Sequence, residues 1–432
     1  MWHFRRLSLS VVVLSLSYAS FVWAYSGGSG TPSDPYLISS PSDLDSLGAT
    51  SADWSKNFKM TADINMSGYT GTQYKIIGNS TTKFTGSFDG NGHAIRNLTY
   101  STITSGNYVG LFGYTNGAAI QNLGLEDVYI HTGGGSMGGL VGYQVSGTIT
   151  SCYTTGSVTA NSSSSYAYAG GLVGYQSSGA ITSSYSTCSI ITTAYSSAVN
   201  GGIVGWQNSG SITSSYSTGN IAATSSNATA YAGGLVGSQS YGAGPITSCY
   251  STGNVVAVCN GPAIYGSGVD VFAGGLVAAG SGSIVNCYST GQVSATGNHF
   301  VYKGGLLGYE FGTPTASFWD INTSGQTTSA GGTGLSTIQM KQQASFTGWD
   351  FTTVWAICEG MNYPRLIWQI PVGDFVCPDG VNFFDFVYFA EQWRATGCSS
   401  ANNFCGGTDL NASGTVDILD LAIFADNWLA GE

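Results

Sequence analysis

The sequence predicts an all-β chain wound into a parallel β-helix, a solenoid, followed by a small α-helical module. Three observations carry this: a phrase that returns about every thirty residues, a middle region without charge, and an acidic end with its own shorter repeat. Gly138-Gly139-Leu140-Val141-Gly142 recurs at 170–174, 201–205, 233–237, 274–278 and 304–308, after a looser copy at 109–113. The marker glycine falls at 110, 139, 171, 202, 234, 275 and 305, in steps of 29, 32, 31, 32, 41 and 30. A fixed period of this length belongs to a stacked array whose units bury their apolar faces only against neighbours.

Taken in order, the chain opens with Arg5 and Arg6, then an apolar, serine-rich stretch at 7–22, then Val22-Trp23-Ala24. This is the pattern of a secretory signal peptide over residues 1–24, with the mature chain expected to begin near Tyr25 outside the cytoplasm. Residues 25–108 are expected to form an N-terminal cap and the first coils, covering an edge that would otherwise invite pairing with another sheet.

Residues 109–370 hold the array and its closing segment. Each unit has a second limb, of which Ile149-Thr150-Ser151-Cys152-Tyr153 is one copy, matched at 181–185, 212–216, 246–250 and 284–288. Both limbs are rich in β-branched and aromatic residues and are bounded by Gly, Ser and Asn, which is the chemistry of strands and turns. Two or three short strands per unit, stacked in register, describe a coil, with glycine at the corners. Seven coils at roughly 4.8 Å each give a rod section of about 35 Å.

Residues at one phase of the repeat form ladders. One is Tyr153, Tyr185, Tyr216, Tyr250 and Tyr288; another is Tyr114, Tyr143, Tyr175, Trp206 and Tyr309, interrupted by Ser238 and Ala279. Gln144, Gln176, Gln207 and Gln239 stack beside the second. An outward aromatic ladder edged with amides offers flat faces and hydrogen bonds to sugar rings, with Tyr143, Tyr175, Trp206 and Tyr309 as the candidate contacts. An unliganded ladder equally stabilises parallel coils, and strand parity alone does not decide which ladder faces outward. Cys152, Cys249 and Cys287 share a third column with Ser184 and Ser215, either as buried thiols or with a Cys249–Cys287 bridge.

The phrases Gly-Gly-Leu-Val-Gly and Cys249-Tyr250-Ser251-Thr252-Gly253-Asn254-Val255 resemble the GLUG repeat of bacterial surface and secreted proteins. The segments Asp34-Pro35-Tyr36-Leu37-Ile38 and 84–93 fit the same kind of protein. The resemblance spans about residues 26–370 and implies a right-handed β-helix with an adhesin-like or scaffold role. It implies no reaction.

The tail, 371–432, repeats itself: 385–393 matches 420–428, and both read as short helices. Residues 373–432 contain nine acids and one base, Arg394, for a charge of −8 out of the chain's −11. Nucleic acid is therefore a poor partner and a cation a good one. Asp409, Asn411, Ser413, Gly414, Thr415 and Asp420 stand at the first, third, fifth, sixth, seventh and twelfth places of a calcium loop, with Asp417 at the ninth. A hard cation needs six or more oxygens, and glycine at the sixth place permits the sharp turn. The segment resembles a dockerin, whose two loop–helix units bind a cohesin on another polypeptide. The first loop, from Asp374 to Asp385, departs from the pattern, with Val376 and Pro378 where ligands would stand. Cys358, Cys377, Cys398 and Cys405 allow two disulfides in three connectivities. A bridge from Cys377 to Cys398 or Cys405 is the expected replacement for metal in that first loop.

From Thr132 to Val269 there is no Asp, Glu, Lys, Arg or His. Glycosidic cleavage needs two carboxylates about 5–10 Å apart, and a lyase needs a base plus a charge stabiliser. Candidates stand only toward the ends: Asp89 with His93, Glu126 and Asp127 with His131, and Asp270 with His299, Lys303 and Glu310. On a regular strand the adjacent Glu126 and Asp127 point to opposite faces, which makes them a poor acid–base pair. The reading is a secreted, non-catalytic binder of polysaccharide or surface protein with a Ca²⁺-dependent attachment tail. The alternative is a β-helix polysaccharide hydrolase or lyase attached through the same tail.

Overall fold

The computed structural model describes residues 25–105, 107–261, 269–310, 314–377 and 379–431. The leader expected at 1–24 lies outside the described residues. The array is a parallel β-solenoid of about eight turns. One coil shows the plan: Ala167–Gly170, Val173–Gln176, Ala180–Thr182, Tyr185–Ser186 and Ser189–Ala194. These five short strands join four parallel sheets, two of seven strands, one of nine and one of fifteen. The expected two or three strands per unit are thus split further by corners. Each strand pairs with its counterpart one coil on, as in Tyr143 with Tyr175 and Ile181 with Ile212.

Alternation within each limb decides what is inside. Leu140, Leu172, Ile203, Leu235, Leu276 and Leu306 form a fully buried inward column, and Ile149, Ile181, Ile212, Ile246 and Ile284 another. Each such side chain stabilises the rod by roughly 1.5–3 kcal/mol. One coil's set has no partner inside its own unit, so the core exists only as a stack.

The paired glycines serve close approach. A Cβ on Gly171 or Gly202 would meet a carbonyl oxygen of the next coil and a serine hydroxyl, Ser186 or Ser217. Left-handed corners are shared: Gly117, Gly147, Gly179 and Gly210 take φ of 74°, 101°, 95° and 87° at one corner, and Ser151, Ser183, Ser214, Ser248 and Asn286 take φ of 52°, 48°, 47°, 52° and 53° at another. Short polar side chains tolerate that region best after glycine. The next residue in each coil links the rungs. Cys152 N–H donates to Ser184 Oγ at 3.1 Å, Ser184 N–H to Ser215 Oγ at 3.2 Å and Cys249 N–H to Cys287 Sγ at 3.4 Å. The column is therefore one of thiols and hydroxyls, with Cys249 and Cys287 free and buried. Burial pushes the Cys249 thiol well above its ordinary range.

At the N-terminal end, strands Tyr36–Ile38, Asn57–Met60 and Ser87–Asp89 extend the nine-stranded sheet. Helix Pro41–Ala49 precedes the second of them, with Ser40 and Asp43 forming a capping box, and it buries Leu44 and Leu47. At the other end, strand Thr333–Leu335 closes the fifteen-stranded sheet against Phe318–Asp320, and residues 336–370 run as short turns and an antiparallel pair, Trp355–Ala356 with Arg365–Leu366. The tail carries helices Phe383–Glu391 and Ile418–Asp426. Both start two residues before the matched aspartates, because Asn382 and Asp417 are the caps and Asp385 and Asp420 close the boxes from the third position.

Candidate functional site

The structure separates the two aromatic ladders. Tyr153, Tyr185, Tyr216, Tyr250 and Tyr288 stack with centroids 4.8–5.0 Å apart. The closing segment then covers most of them. Trp368 lies against Tyr185 and Tyr216, Trp355 against Tyr250 and Tyr288, and Tyr288 donates its hydroxyl to Pro364 O at 2.7 Å. Its buried end is the seam that holds the closing segment.

The other ladder faces solvent. Tyr114, Tyr143, Tyr175 and Trp206 are partly exposed and stack within 10° of parallel, at 4.6, 4.7 and 6.4 Å. Tyr309 stands beyond Ser238 and Ala279, 4.8 Å from Tyr302. Beside this ladder runs a second outward column on the neighbouring sheet: Tyr108, Tyr168, Tyr231, Phe272 and Tyr302, with Ser136 and Val199 among them. Its rings reach across the corner, as in Tyr108 to Tyr143 at 5.3 Å and Tyr168 to Trp206 at 5.4 Å. Sequence reading missed this column, although its members recur two or three residues before each marker glycine.

The glutamines do not edge the ladder. Gln144, Gln176 and Gln207 are buried, and amides pair along the axis: Gln176 Nε2 donates to Gln144 Oε1 at 3.3 Å and Gln239 Nε2 to Gln207 Oε1 at 2.8 Å. They follow an aromatic residue by one position on a strand, so parity turns them inward.

Of the charged candidates, His93 and Glu126 join one network through Asp63 and Arg96, and the others stand apart from it. Asp89 accepts from Asn91 N–H and Asn122 Nδ2; burial works against its ionised form, but these donors hold its carboxyl below the usual range. His93 meets Asp63, and Arg96 bridges Asp63 and Glu126 at 3.1 and 2.6 Å. The hydroxyl of Tyr153, then Arg96, lowers the Glu126 carboxyl. The expected opposition of Glu126 and Asp127 fails, because a bulge falls between Leu125 and Val128 and turns Asp127 to φ 54°. Both carboxylates therefore reach solvent, one of them already engaged. His131 Nδ1 lies 2.9 Å from Thr159 Oγ1. Asp270 and His299 do meet across neighbouring coils, at 2.7 Å. Lys303 is exposed, and the side chain of Glu310 lies outside the described residues.

In the tail, Asp409 and Asp420 are buried, at 3% and 0% exposure, with no basic partner among the described residues. Asp409 accepts from Ser413 N–H and Gly414 N–H, both at 2.9 Å, and Asn411 Oδ1 shares the Ser413 donor. Asp420 accepts from Asn411 N–H and Asp417 N–H at 3.1 and 2.8 Å. Two buried carboxylates on one loop, with an amide oxygen beside the first and no basic partner among the described residues, are donors of the kind a hard cation takes. Among the described residues no three His, Cys, Asp or Glu side chains gather into a metal-holding group. Any ligand set here therefore rests largely on amide, hydroxyl and carbonyl oxygens.

The first loop keeps the same frame without the side-chain ligands. Asp385 accepts from Val376 N–H and Asn382 N–H, and Asp374 from Gly380 N–H. Cys377 bridges to Cys358, and Cys398 to Cys405. The expected bridge from Cys377 into the second half is thus overturned; its partner lies in the closing segment. Burial, then the charges of Asp385 and Asp379, pushes the Asp374 carboxyl up to about 6. The folded state therefore keeps this proton longer than the unfolded chain does, so tail stability is expected to fall as pH rises from about 4 to about 6. Urea unfolding in chelator should show that slope, and Asp374→Asn should flatten it; a pH-independent midpoint would contradict the assignment.

No protein-family model matches the chain. It is 37% identical over 144 residues to halomucin from Haloquadratum walsbyi, covering 31% of this chain and 2% of that protein. It is 33% identical over 110 residues to a provisionally named Gly-rich membrane protein from Evansella cellulosilytica, covering 24% of this chain and 12% of that one. The chain thus spans a small part of the curated relatives it matches. Among solved structures it is similar to a provisionally assigned immunoglobulin A1 protease from Bacteroides ovatus (20% identity, TM-score 0.45, 80% of this chain and 96% of that one). It is also similar to an IgA1 protease (18% identity, TM-score 0.38, 65% and 19%). At that level of likeness neither bears on activity. No helix among the described residues is long and apolar enough to cross a membrane.

Proposed function

We propose that the chain is a secreted GLUG-type right-handed β-helix that binds polysaccharide on its aromatic face and is attached through a calcium-dependent, dockerin-like tail. The observation that carries the glycan reading is the outward stack of Tyr143, Tyr175 and Trp206, parallel and partly exposed, with Lys83 over the ring of Tyr114 at its end. Flat, partly solvated rings of this kind offer large contact area at low entropic cost, with hydroxyls at their rims. The likeness of part of the chain to halomucin and to a membrane protein supports a surface or extracellular setting.

For the tail, Asp409, Asn411, Ser413, Thr415 and Asp420 would hold Ca²⁺, with Asp417 adding support. Bound there, the ion would neutralise the buried carboxylates and fix the second loop against its helix. Attachment to a cohesin-like or other surface protein is supported by Phe383, Phe384, Ile418 and Leu419, which are 60–73% exposed at equivalent starts of the two helices. Large apolar side chains this exposed mark contact surfaces.

The test is affinity electrophoresis of the full chain through gels containing plant and algal glycans, with reducing ends and unsaturated products assayed in parallel. Retardation without product is expected, and Tyr175→Ala should weaken it by about threefold to tenfold. Release of sugar would favour the hydrolase or lyase reading. Mobility unchanged across the panel would leave the rod a spacer.

A further inference from the structure

Three departures from the repeat coincide in space. The outward ladder loses its aromatic at two successive rungs, Ser238 and Ala279, and resumes at Tyr309. In the second of those coils the inward amide is also lost, since Gly280 takes the place of glutamine. Gln239 therefore has no next amide to meet; its Oε1, like that of Gln176, is buried without a hydrogen-bond partner. Third, Gln239 to Ile246 is two residues longer than Gln207 to Ile212 or Gln176 to Ile181. The extra residues form a turn, closed by Ala243 N–H to Ser240 O at 3.0 Å, that holds Tyr241 out at 93% exposure.

Together these changes make a cleft of about 270 Å³. Trp206 and Tyr309 stand at its ends, three coil steps or about 14 Å apart. Tyr231 and Phe272 form one side, stacked at 4.8 Å, and Tyr241 stands at the rim. Ser238, Ala279 and Gln239 line the rest. The walls are pinned: Trp206 Nε1 donates to Ser240 Oγ at 3.0 Å, and Ser281 Oγ to Ser240 O at 3.2 Å. The lining has no Asp, Glu, Lys, Arg or His.

We propose that this gap is a subsite for a single neutral sugar ring, the position at which the glycan-binding face grips one residue rather than a smooth chain. The inference rests on the glycan reading of the ladder and goes beyond it in naming where and what. The aromatic walls match the apolar faces of a pyranose, and Ser238 and Ser281 in the lining supply polar partners that aromatics lack. A volume near the lower end of small-ligand clefts, about 300–1,000 Å³, selects one ring over a longer segment. Without a basic side chain in the wall, a uronate or sulfated ring finds no counter-charge for its carboxylate or sulfate.

The test is saturation-transfer difference NMR on the full chain with methyl glycosides of glucose, galactose, mannose, xylose and N-acetylglucosamine, and with galacturonate. At least one neutral glycoside is expected to bind, with galacturonate about tenfold weaker or silent. Ala279→Tyr restores the repeat's own residue and fills the cleft, so it should keep the fold and lose that signal by about tenfold or more. Trp206→Ala should weaken it, whereas Ile191→Ala, half exposed on the fifteen-stranded sheet away from the ladder and the cleft, should not. The proposal is overturned if no neutral glycoside binds, if galacturonate binds as well, or if Ala279→Tyr retains the signal. Continued gel retardation of Ala279→Tyr by polysaccharide would leave the ladder reading standing, so the two failures are distinguishable.

Discussion

Gly202→Ala is expected to lower the stability of the solenoid by about 2–3 kcal/mol, the cost of forcing volume into a closed core. The added methyl would meet the backbone oxygen of Gly234 and the hydroxyl of Ser217. Neither can withdraw cheaply. Gly234 sits in the next coil, where its own N–H bonds Gly274 O at 3.2 Å, and Ser217 is fully buried. Gly171 and Gly234 face the same kind of collision, so the effect should recur at each paired glycine. Gly68→Ala is the control, because a Cβ there meets nothing within 4 Å. Denaturant unfolding followed by tyrosine and tryptophan fluorescence measures the difference. Equal midpoints for the two variants would mean that the coils do not approach as closely as the structure places them.

The second large effect is expected in the tail. Asp420→Ala removes the acceptor of two backbone N–H groups and one of the two buried carboxylates. The full chain should bind calcium at the 409–420 loop by titration calorimetry, and Asp420→Ala should abolish that binding. Saturation at a hundred times the dissociation constant should stabilise the tail by about 2.7 kcal/mol, and chelator should remove that increment. The solenoid's own transition should not move, since its core is a separate cluster from that of Val381, Phe389, Val416 and Phe424. A tail transition indifferent to both chelator and excess calcium would defeat the assignment.

The rod was legible because its physics is repetitive. A column of Leu at one phase and Ile at another has no other way to be buried, and identical residues at one phase must stack. Helix Pro41–Ala49 carries its own signature in Ser40, Pro41 and Asp43, yet it stands outside the periodic pattern and was not read. Orientation was harder. In a strand of four residues, one corner misplaced by a single position exchanges Tyr175 for Gln176 as the outward group. The left-handed serines that set those corners look like any other serine in a Ser-rich chain. The cleft left a trace in the two missing aromatics, but reading it needed the column from the adjacent sheet, whose Tyr231 and Phe272 are distant in phase. Disulfide partners follow from spatial approach, so Cys377 could not be assigned from order along the chain.

The bond between Cys358 and Cys377 gives the molecule a defined load path. If the tail is anchored while the rod is dragged by what it holds, tension leaving the tail passes through sulfur and bypasses the eighteen residues between the two cysteines. Force then enters at Cys358, behind the Trp355 pair that lies against Tyr250 and Tyr288. The pull is shared with the tyrosine stack, where it acts across several rungs at once instead of peeling the last coil from its end.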